Sequence, residues 1–448
     1  MKKREQFKRL IKFSFSFVAV LLVVGVYFVV WTGYYNKIII EFPFWRRGNW
    51  LMVALYAVLL VFFNQTYGGF KIAYLKKGNL IWSQVLSIFF TNVITYVQIS
   101  LIDKKLHPLY PILIMSIVQG VLIALWSVVF NWIYRQLFPA KRLLLVYGEK
   151  SAFHLEEKIN SREDKYYLAG AVHISRGQEK IMKMAEHYDA VIIGDIPAHE
   201  RNLLMKLCFQ KSIRTYSVPK ISDILIRTST ELDIFDSPLL LSRNDGLQIE
   251  QLAIKRAMDI VFSAIGLVMT SPFFLIIAIL IKFTDGGPIF YRQVRLTKNG
   301  KEFTICKFRT MIQNAEKYTG ARLASENDDR IFPVGKFLRR TRLDELPQLW
   351  NILKGDMSLV GPRPERPELA QEIEKEIPEF RYRLKVKAGL TGYAQIYGKY
   401  NTTFYDKLKL DLTYICNYSL LLDLKLIIMT PKILAMKESA EGVDDRKV

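Results

Sequence analysis

Two adjacent acids, Asp344 and Glu345, lie in the run Arg339-Arg340-Thr341-Arg342-Leu343-Asp344-Glu345-Leu346-Pro347-Gln348. A second basic stretch, Leu359-Val360-Gly361-Pro362-Arg363-Pro364-Glu365, follows closely. An acid pair can supply a nucleophile and a metal ligand, and guanidinium groups match phosphate oxygens bidentately. The combination is equipment for phosphoryl chemistry. All five histidines (His107, His154, His173, His187, His199) precede residue 200, which excludes serine–histidine and cysteine–histidine nucleophiles from the C-terminal region. There is no Walker lysine motif and no aspartate–X–aspartate metal site. A carboxylate nucleophile with metal-assisted phosphoryl transfer remains.

Those acids must be held by a helix. Leu346, Leu349, Trp350 and Leu353 fall at i, i+3, i+4 and i+7, one apolar face that Gly355 can terminate. Pro347 belongs in the first turn, which places Asp344 at or near the N-cap, where the helix dipole keeps a carboxylate ionised. Neighbouring helical positions point about 100° apart, so Glu345 can face a Mg²⁺ ion while Asp344 faces phosphorus. Taken alone, such a pair is more often a helix cap and a surface charge. Arg363 stands between two prolines, which limits the entropy lost on meeting a phosphate. Upstream, Gly286–Gln293 and Lys301–Phe308 form a hairpin through Lys298-Asn299-Gly300, whose asparagine–glycine pair is a strong turn signal. Ala388–Gln395 is a glycine-rich loop.

Composition places the chain in a membrane. Apolar residues make up 51% of 448, and long apolar stretches run over Ile11–Thr32, Trp50–Tyr67, Leu80–Leu101 and Pro111–Tyr134, each near the ~20 residues needed to span a bilayer. The first is too long for a cleaved signal peptide and lacks a small-residue cleavage site. Lys2, Lys3, Arg4, Lys8, Arg9 and Lys12 orient the set with both ends in the cytoplasm. The net charge of +21 suits anionic lipid and a phosphorylated substrate, and no motif supports nucleic-acid binding. Cys208, Cys306 and Cys416 are too scattered for a disulfide framework or a zinc site.

A further apolar run, Ala257–Ile281, carries one charge, Asp259, and is interrupted by Ser271-Pro272. Proline should bend it sharply there, with Ser271 bonding a freed carbonyl. Composition alone leaves a re-entrant helix and a kinked full span equally open. Leu408–Met429 carries Lys409, Asp411, Asp423 and Lys425 and reads as amphipathic interfacial helices; Glu438–Val448 is a charged tail.

Between the spans and this region, strands at Arg142–Gly148, Tyr167–Ile174, Ala190–Asp195 and Ile213–Pro219 alternate with helices, the pattern of a doubly wound parallel sheet. Its first turn, Gly148-Glu149-Lys150-Ser151-Ala152, lacks the glycines of a dinucleotide fingerprint, so a structural or regulatory module is expected. The domains read as 1–139, 140–247 and 248–448.

The motif run, above all Asn327–Glu365, resembles the catalytic core of the bacterial polyprenyl-phosphate phosphoglycosyltransferases, and the layout resembles their long members. The resemblance implies a membrane protein of α and α/β class: a four-helix transmembrane bundle, a Rossmann-like α/β module, and a mixed α/β catalytic domain with a re-entrant helix over about 255–283, broken at Ser271 and Pro272. It implies transfer of a hexose-1-phosphate from a UDP-sugar to undecaprenyl phosphate, with release of UMP. That would be the first membrane step of exopolysaccharide, capsule or other glycan synthesis, in the bacterial cytoplasmic membrane with the catalytic domain inside. By position, Asp344 would be the nucleophile, Glu345 the Mg²⁺ ligand, and Lys307, Arg309 and Arg363 the phosphate binders. Membrane lipids are implied partners; a homo-oligomer is compatible with the sequence. A transferase working by one direct displacement and a membrane receptor whose module senses a nucleotide are the competing readings.

Overall fold

The computed structural model describes residues 5–148, 153–232, 236–242, 246–312, 328, 330–398 and 402–434. Lys2, Lys3 and Arg4, turn residues 149–152, Asn327 and the tail Glu438–Val448 lie outside the described residues. The chain forms two compact units, Met1–Val218 and Pro219–Val448.

The first unit opens with four long helices: α1 (Lys8–Val30, continued by a wider turn over Trp31–Ile39), α2 (Arg46–Tyr67), α3 (Lys77–Ile102) and α4 (Tyr110–Leu137). Together with one helix of the second unit, these are long and apolar enough to cross a membrane. Their packing is partly polar. The Tyr56 hydroxyl donates to Asn92 Oδ1 (2.8 Å), and Asn92 Nδ2 donates to Gln119 Oε1 (2.9 Å). Such interhelical hydrogen bonds hold helices together where lipid removes the hydrophobic driving force.

The α/β module follows with β1 (Lys141–Tyr147), α5 (Phe153–Asn160), β2 (Tyr166–His173), α6 (Gln178–Ala185), β3 (Ala190–Ile193), α7 (Ala198–Gln210) and β4 (Thr215–Ser217). The strands are parallel in the order β2-β1-β3-β4, the doubly wound arrangement expected from the alternation. β1 and β3 are the most buried strands, which is why they read as continuous apolar runs.

The second unit begins with α8 (Ile221–Arg227) and a small hairpin of β5 (Thr230–Leu232) and β6 (Leu239–Leu241). Ile221 and Ile224 enter the core of this unit. The stretch after Val218, assigned from sequence to the Rossmann-like module, therefore belongs to the C-terminal unit, because its apolar face is buried there. Next comes α9 (Ile249–Asp285), a single helix of 37 residues. Pro272 lies inside it, so the expected break is not an interruption of the helix. The reason is local. Pro272 has no amide to give the Val268 carbonyl, and the Ser271 hydroxyl donates to that carbonyl instead (2.8 Å).

The hairpin of β7 (Phe290–Leu296) and β8 (Glu302–Phe308) pairs antiparallel, with Asn299 at φ 58° and Gly300 at φ 74° making the expected turn. Then follow α10 (Pro333–Thr341), a 3₁₀ turn at Leu343–Glu345, α11 (Gln348–Lys354), β9 (Ser358–Val360), α12 (Pro367–Glu376), β10 (Gly389–Thr391), α13 (Tyr393–Tyr397), α14 (Phe404–Cys416) and α15 (Leu420–Leu434). β9 and β10 pair in parallel, which gives the glycine-rich loop a structure that sequence alone did not show.

Two sequence expectations are corrected here. Of the four charged residues of 408–429, only Lys425 is exposed. Asp411, Lys409 and Asp423 are buried. Arg383 Nε donates to Asp411 (2.9 Å), and Lys255 Nζ donates to Asp423 (2.6 Å). Burial of these charges is tolerated because each has a partner. On α11 the buried apolar residues are Leu349 and Ile352, whereas Trp350 is 61% exposed. The helix starts later than expected, at Gln348, so the inward face shifts.

Candidate active site

Arg342 adopts φ +58°, a conformation rare for a side chain-bearing residue, and this ends α10 and throws the chain into the 3₁₀ turn that carries the acid pair. Asp344 is therefore not the N-cap of α11; Pro347 occupies that position. Both acids are buried, at 8% exposure each. Strain of this kind tends to be kept where it serves a site.

Cations surround the pair. Glu345 Oε1 accepts from Lys307 Nζ (2.9 Å), Arg363 Nη2 (2.9 Å) and Arg342 Nη1 (3.4 Å). Burial alone would raise the Glu345 carboxyl, but Arg363, Lys307 and Arg342 outweigh it and hold it well below the usual glutamate range. Asp344 behaves oppositely. Burial and the neighbouring Glu345 charge push it up to about 6, against the pull of Lys307, Arg342 and Arg339. Its Oδ1 is buried with no hydrogen-bond partner among the described residues. A carboxylate oxygen left unpaired is costly and is therefore reactive toward an electrophile or a cation. Gln348, a helical turn further on and missed by sequence reasoning, is likewise buried, its Nε2 unpartnered among the described residues.

The scaffold explains how these side chains are held. Lys307 comes from the end of β8, and Asn351 pins α11 to that strand: its Nδ2 donates to Thr304 O (2.8 Å) and its Oδ1 accepts from Cys306 N (3.0 Å). Arg256 on α9 donates to the last carbonyls of α11, Ile352 and Leu353, at 2.7 Å each. Asp259 Oδ1 accepts from Ser358 Oγ (3.0 Å) and Leu359 N (2.8 Å), which fixes β9 and the Arg363 loop beyond it. In that loop Gly361 N donates to Thr391 O (2.9 Å) and Gly389 N to Pro362 O (2.9 Å). A methyl on Gly389 would lie 2.0 Å from Gly361 N, so the two backbones cross where no side chain fits. Arg363 keeps 41% of its side chain exposed while Glu345 keeps 10%, so Arg363 reaches from the buried acid to solvent.

Lys307, Asp344, Glu345 and Arg363 are thus brought together. Arg309 is not seen with them: its Nε donates to Pro288 O (2.6 Å) and its Nη1 to Met311 O (3.4 Å). Ser271 and Pro272 lie in α9. Among the described residues no group of three or more histidine, cysteine or acidic side chains could hold a metal. The donor set, two adjacent carboxylates of which Asp344 Oδ1 has no hydrogen-bond partner among the described residues, is of the kind that Mg²⁺ takes together with water and substrate phosphate.

Residues 250–437 match the family model described as bacterial sugar transferase. Over 190 residues, 39% of this chain, it is 37% identical to the exopolysaccharide production protein ExoY of Sinorhizobium fredii, of which it covers 83%. The chain belongs to the bacterial sugar transferase family. It is also 36% identical over 260 residues to the UDP-N-acetylgalactosamine-undecaprenyl-phosphate N-acetylgalactosaminephosphotransferase of Aeromonas hydrophila, covering 55% of this chain and 59% of that one. With the UDP-glucose:undecaprenyl-phosphate glucose-1-phosphate transferase of Klebsiella pneumoniae it shares 33% identity over 305 residues, 66% of this chain and 60% of the relative. The chain spans about three fifths of the length of these two relatives. The sugar transferase match contains Lys307, Asp344, Glu345 and Arg363.

Proposed function

We propose that this bacterial sugar transferase moves a hexose-1-phosphate from a UDP-sugar to undecaprenyl phosphate and releases UMP, as a first membrane step in building an exopolysaccharide, capsule or other glycan. The observation that carries this is the buried Asp344 Oδ1, unpartnered among the described residues, beside a glutamate that accepts from Lys307, Arg363 and Arg342. Asp344 attacks the sugar-linked phosphorus, a carboxylate oxygen–phosphorus bond forms, and the bond to the bridging oxygen breaks as UMP leaves with the electron pair. An oxygen of undecaprenyl phosphate then attacks the same phosphorus and returns the carboxylate. Arg363 and Lys307 offset the repulsion between anionic nucleophile and anionic substrate. Mg²⁺, held by Glu345, would supply further positive charge at the phosphates. The test is to give the purified protein a panel of UDP-sugars without acceptor. One sugar should release UMP in a burst of up to one equivalent, and its absence for every sugar, in protein that turns over once lipid is added, would favour direct displacement.

The re-entrant reading of α9 has support of its own. A straight helix of 37 residues would run ~55 Å, against a hydrocarbon core of ~30 Å. Yet its first half is tied to Asp423 and Ser358 through Lys255 and Asp259, while Ile277 and Ile281 of its second half pack with Phe308 and Leu338 of the same unit. A helix that dips into one leaflet and returns keeps both halves on one domain, with Val268, Met269 and Phe273 exposed to lipid. The catalytic unit then lies on the cytoplasmic side. Single cysteines at Lys354 and Lys375, with the native cysteines removed, should resist membrane-impermeant thiol reagents in intact cells. Ser271→Leu with Pro272→Leu should straighten the segment, expose both positions and abolish activity. Labelling of the unaltered helix variant from outside would overturn the topology.

A further inference from the structure

Where the four-helix bundle meets the α/β module, cations outnumber the anions able to pair with them. Lys141 and Arg214 both bond Glu5, and Arg162 pairs with Asp164. Lys8, Lys12 and Lys165 make no ion pair among the described residues. They rest on aromatic rings instead. The Lys12 and Lys165 ammonium groups lie 4.1 and 4.4 Å from the centre of one ring, that of Tyr74. Lys8 lies 5.0 Å from Phe138 and 5.7 Å from Tyr134. Ring faces hold ammonium groups but accept few of their directed hydrogen bonds. Burial and nearby Arg162 push the Lys165 ammonium below its ordinary range, so bringing these charges together costs free energy until an anion arrives. An independent observation points the same way. The hydroxyl of Tyr134, a residue 7% exposed, is buried without a partner among the described residues, and its ring is also 5.8 Å from Lys12.

We propose that Lys8, Lys12, Lys165 and the Tyr134 hydroxyl form a seat for one phosphate group, carried by an anionic membrane phospholipid. The ligand should carry negative charge and acceptor atoms, because the three ammonium groups are cationic and can only donate, and the Tyr134 hydroxyl can donate as well. Its level is that of a headgroup. Lys8 and Lys12 begin α1, Tyr74 lies between α2 and α3, and Tyr134 ends α4. Phe13 and Phe17, 67% and 53% exposed along α1, offer the apolar surface that acyl chains would cover. Basic pockets at span ends commonly hold such lipids.

Native mass spectrometry of the full-length protein released from detergent, with phosphatidylglycerol or phosphatidylcholine titrated in, tests this. The unaltered protein should retain phosphatidylglycerol in preference to phosphatidylcholine. Lys8→Gln/Lys12→Gln/Lys165→Gln should weaken that retention about 100-fold, at roughly tenfold or less for each basic residue lost. Lys180→Gln/Lys183→Gln/Lys206→Gln, the same charge change at exposed sites of the module, should leave it unaltered. If the first triple variant does not fold, Tyr134→Phe and Lys165→Gln singly should each weaken it several-fold. Equal loss in both triple variants, or no loss in the single ones, would overturn the seat. Inorganic phosphate that stabilises the lipid-free protein equally well would overturn the lipid as its occupant.

Discussion

Asp344→Asn should abolish turnover and the UMP burst while making the protein more resistant to heat. The amide keeps the shape of the side chain but cannot form the bond to phosphorus, and losing a nucleophile outright typically costs on the order of 10⁶-fold in turnover. The stability gain follows from the same electrostatics. Burial and Glu345 raise the Asp344 carboxyl from 3.8 to about 6, so the native state carries the negative charge at a cost. A neutral isostere removes that cost, on the order of 1–3 kcal/mol at pH 7 without substrate or divalent cation. Activity and stability should also answer pH in opposite directions. Activity that depends on the carboxylate should fall as pH drops through about 6. Because the folded protein binds this proton more tightly than the unfolded chain, Asp344 contributes stability as pH falls through the same range. Thermal melts paired with single-turnover UMP release across pH 5–8 read both. An Asp344→Asn protein that retains turnover, or one that melts at a lower temperature, would contradict the account.

Glu345→Gln should fail in a different manner. Its charge balances Lys307, Arg363 and Arg342, and the variant leaves them facing one another. Turnover should fall by about 10²–10³-fold, the usual consequence of losing one electrostatic stabiliser. Here stability should fall as well, by about 2–4 kcal/mol, because a buried ion pair has lost one member. The lower end applies, since Arg363 and Arg342 are partly exposed and water screens them. The Glu345 carboxyl is depressed in the folded state, so its stabilising contribution is present above the ordinary glutamate range and is lost only as pH falls well below it. Adjacent acids of the same chemical type should therefore shift the melting temperature with opposite signs. Equal destabilisation in both variants would show that the pair acts as one structural unit.

Much of this was legible because local pattern and final environment agree. The first four apolar stretches became long helices, the alternating strands became a parallel sheet, and the Asn299-Gly300 pair made its hairpin. What stayed hidden depends on partners distant in the chain. Asp423 looked like a surface charge because Lys255, which buries it, is 168 residues away. Asp259 looked like a lone charge in an apolar run because its partners are 99 and 100 residues on. Arg342 at positive φ has no sequence signature, since the residue is not glycine, and missing it moved the helix start and misplaced Trp350. The crossing at Gly361 and Gly389 needed two segments seen together before either glycine had a reason.

The Ser271 hydroxyl closing the Val268 carbonyl has a wider meaning. Hydrogen-bond accounts in lipid are usually settled by neighbouring helices, which ties a kinked segment to its bundle. Here the debt at the proline is cleared within one turn of the same helix, so the membrane segment of the C-terminal unit needs no companion helix to be stable at that point. A segment whose freed carbonyl is closed by its own side chain does not rely on another helix for that hydrogen bond. In the Sinorhizobium fredii relative, a stretch amounting to 39% of this chain accounts for 83% of that protein.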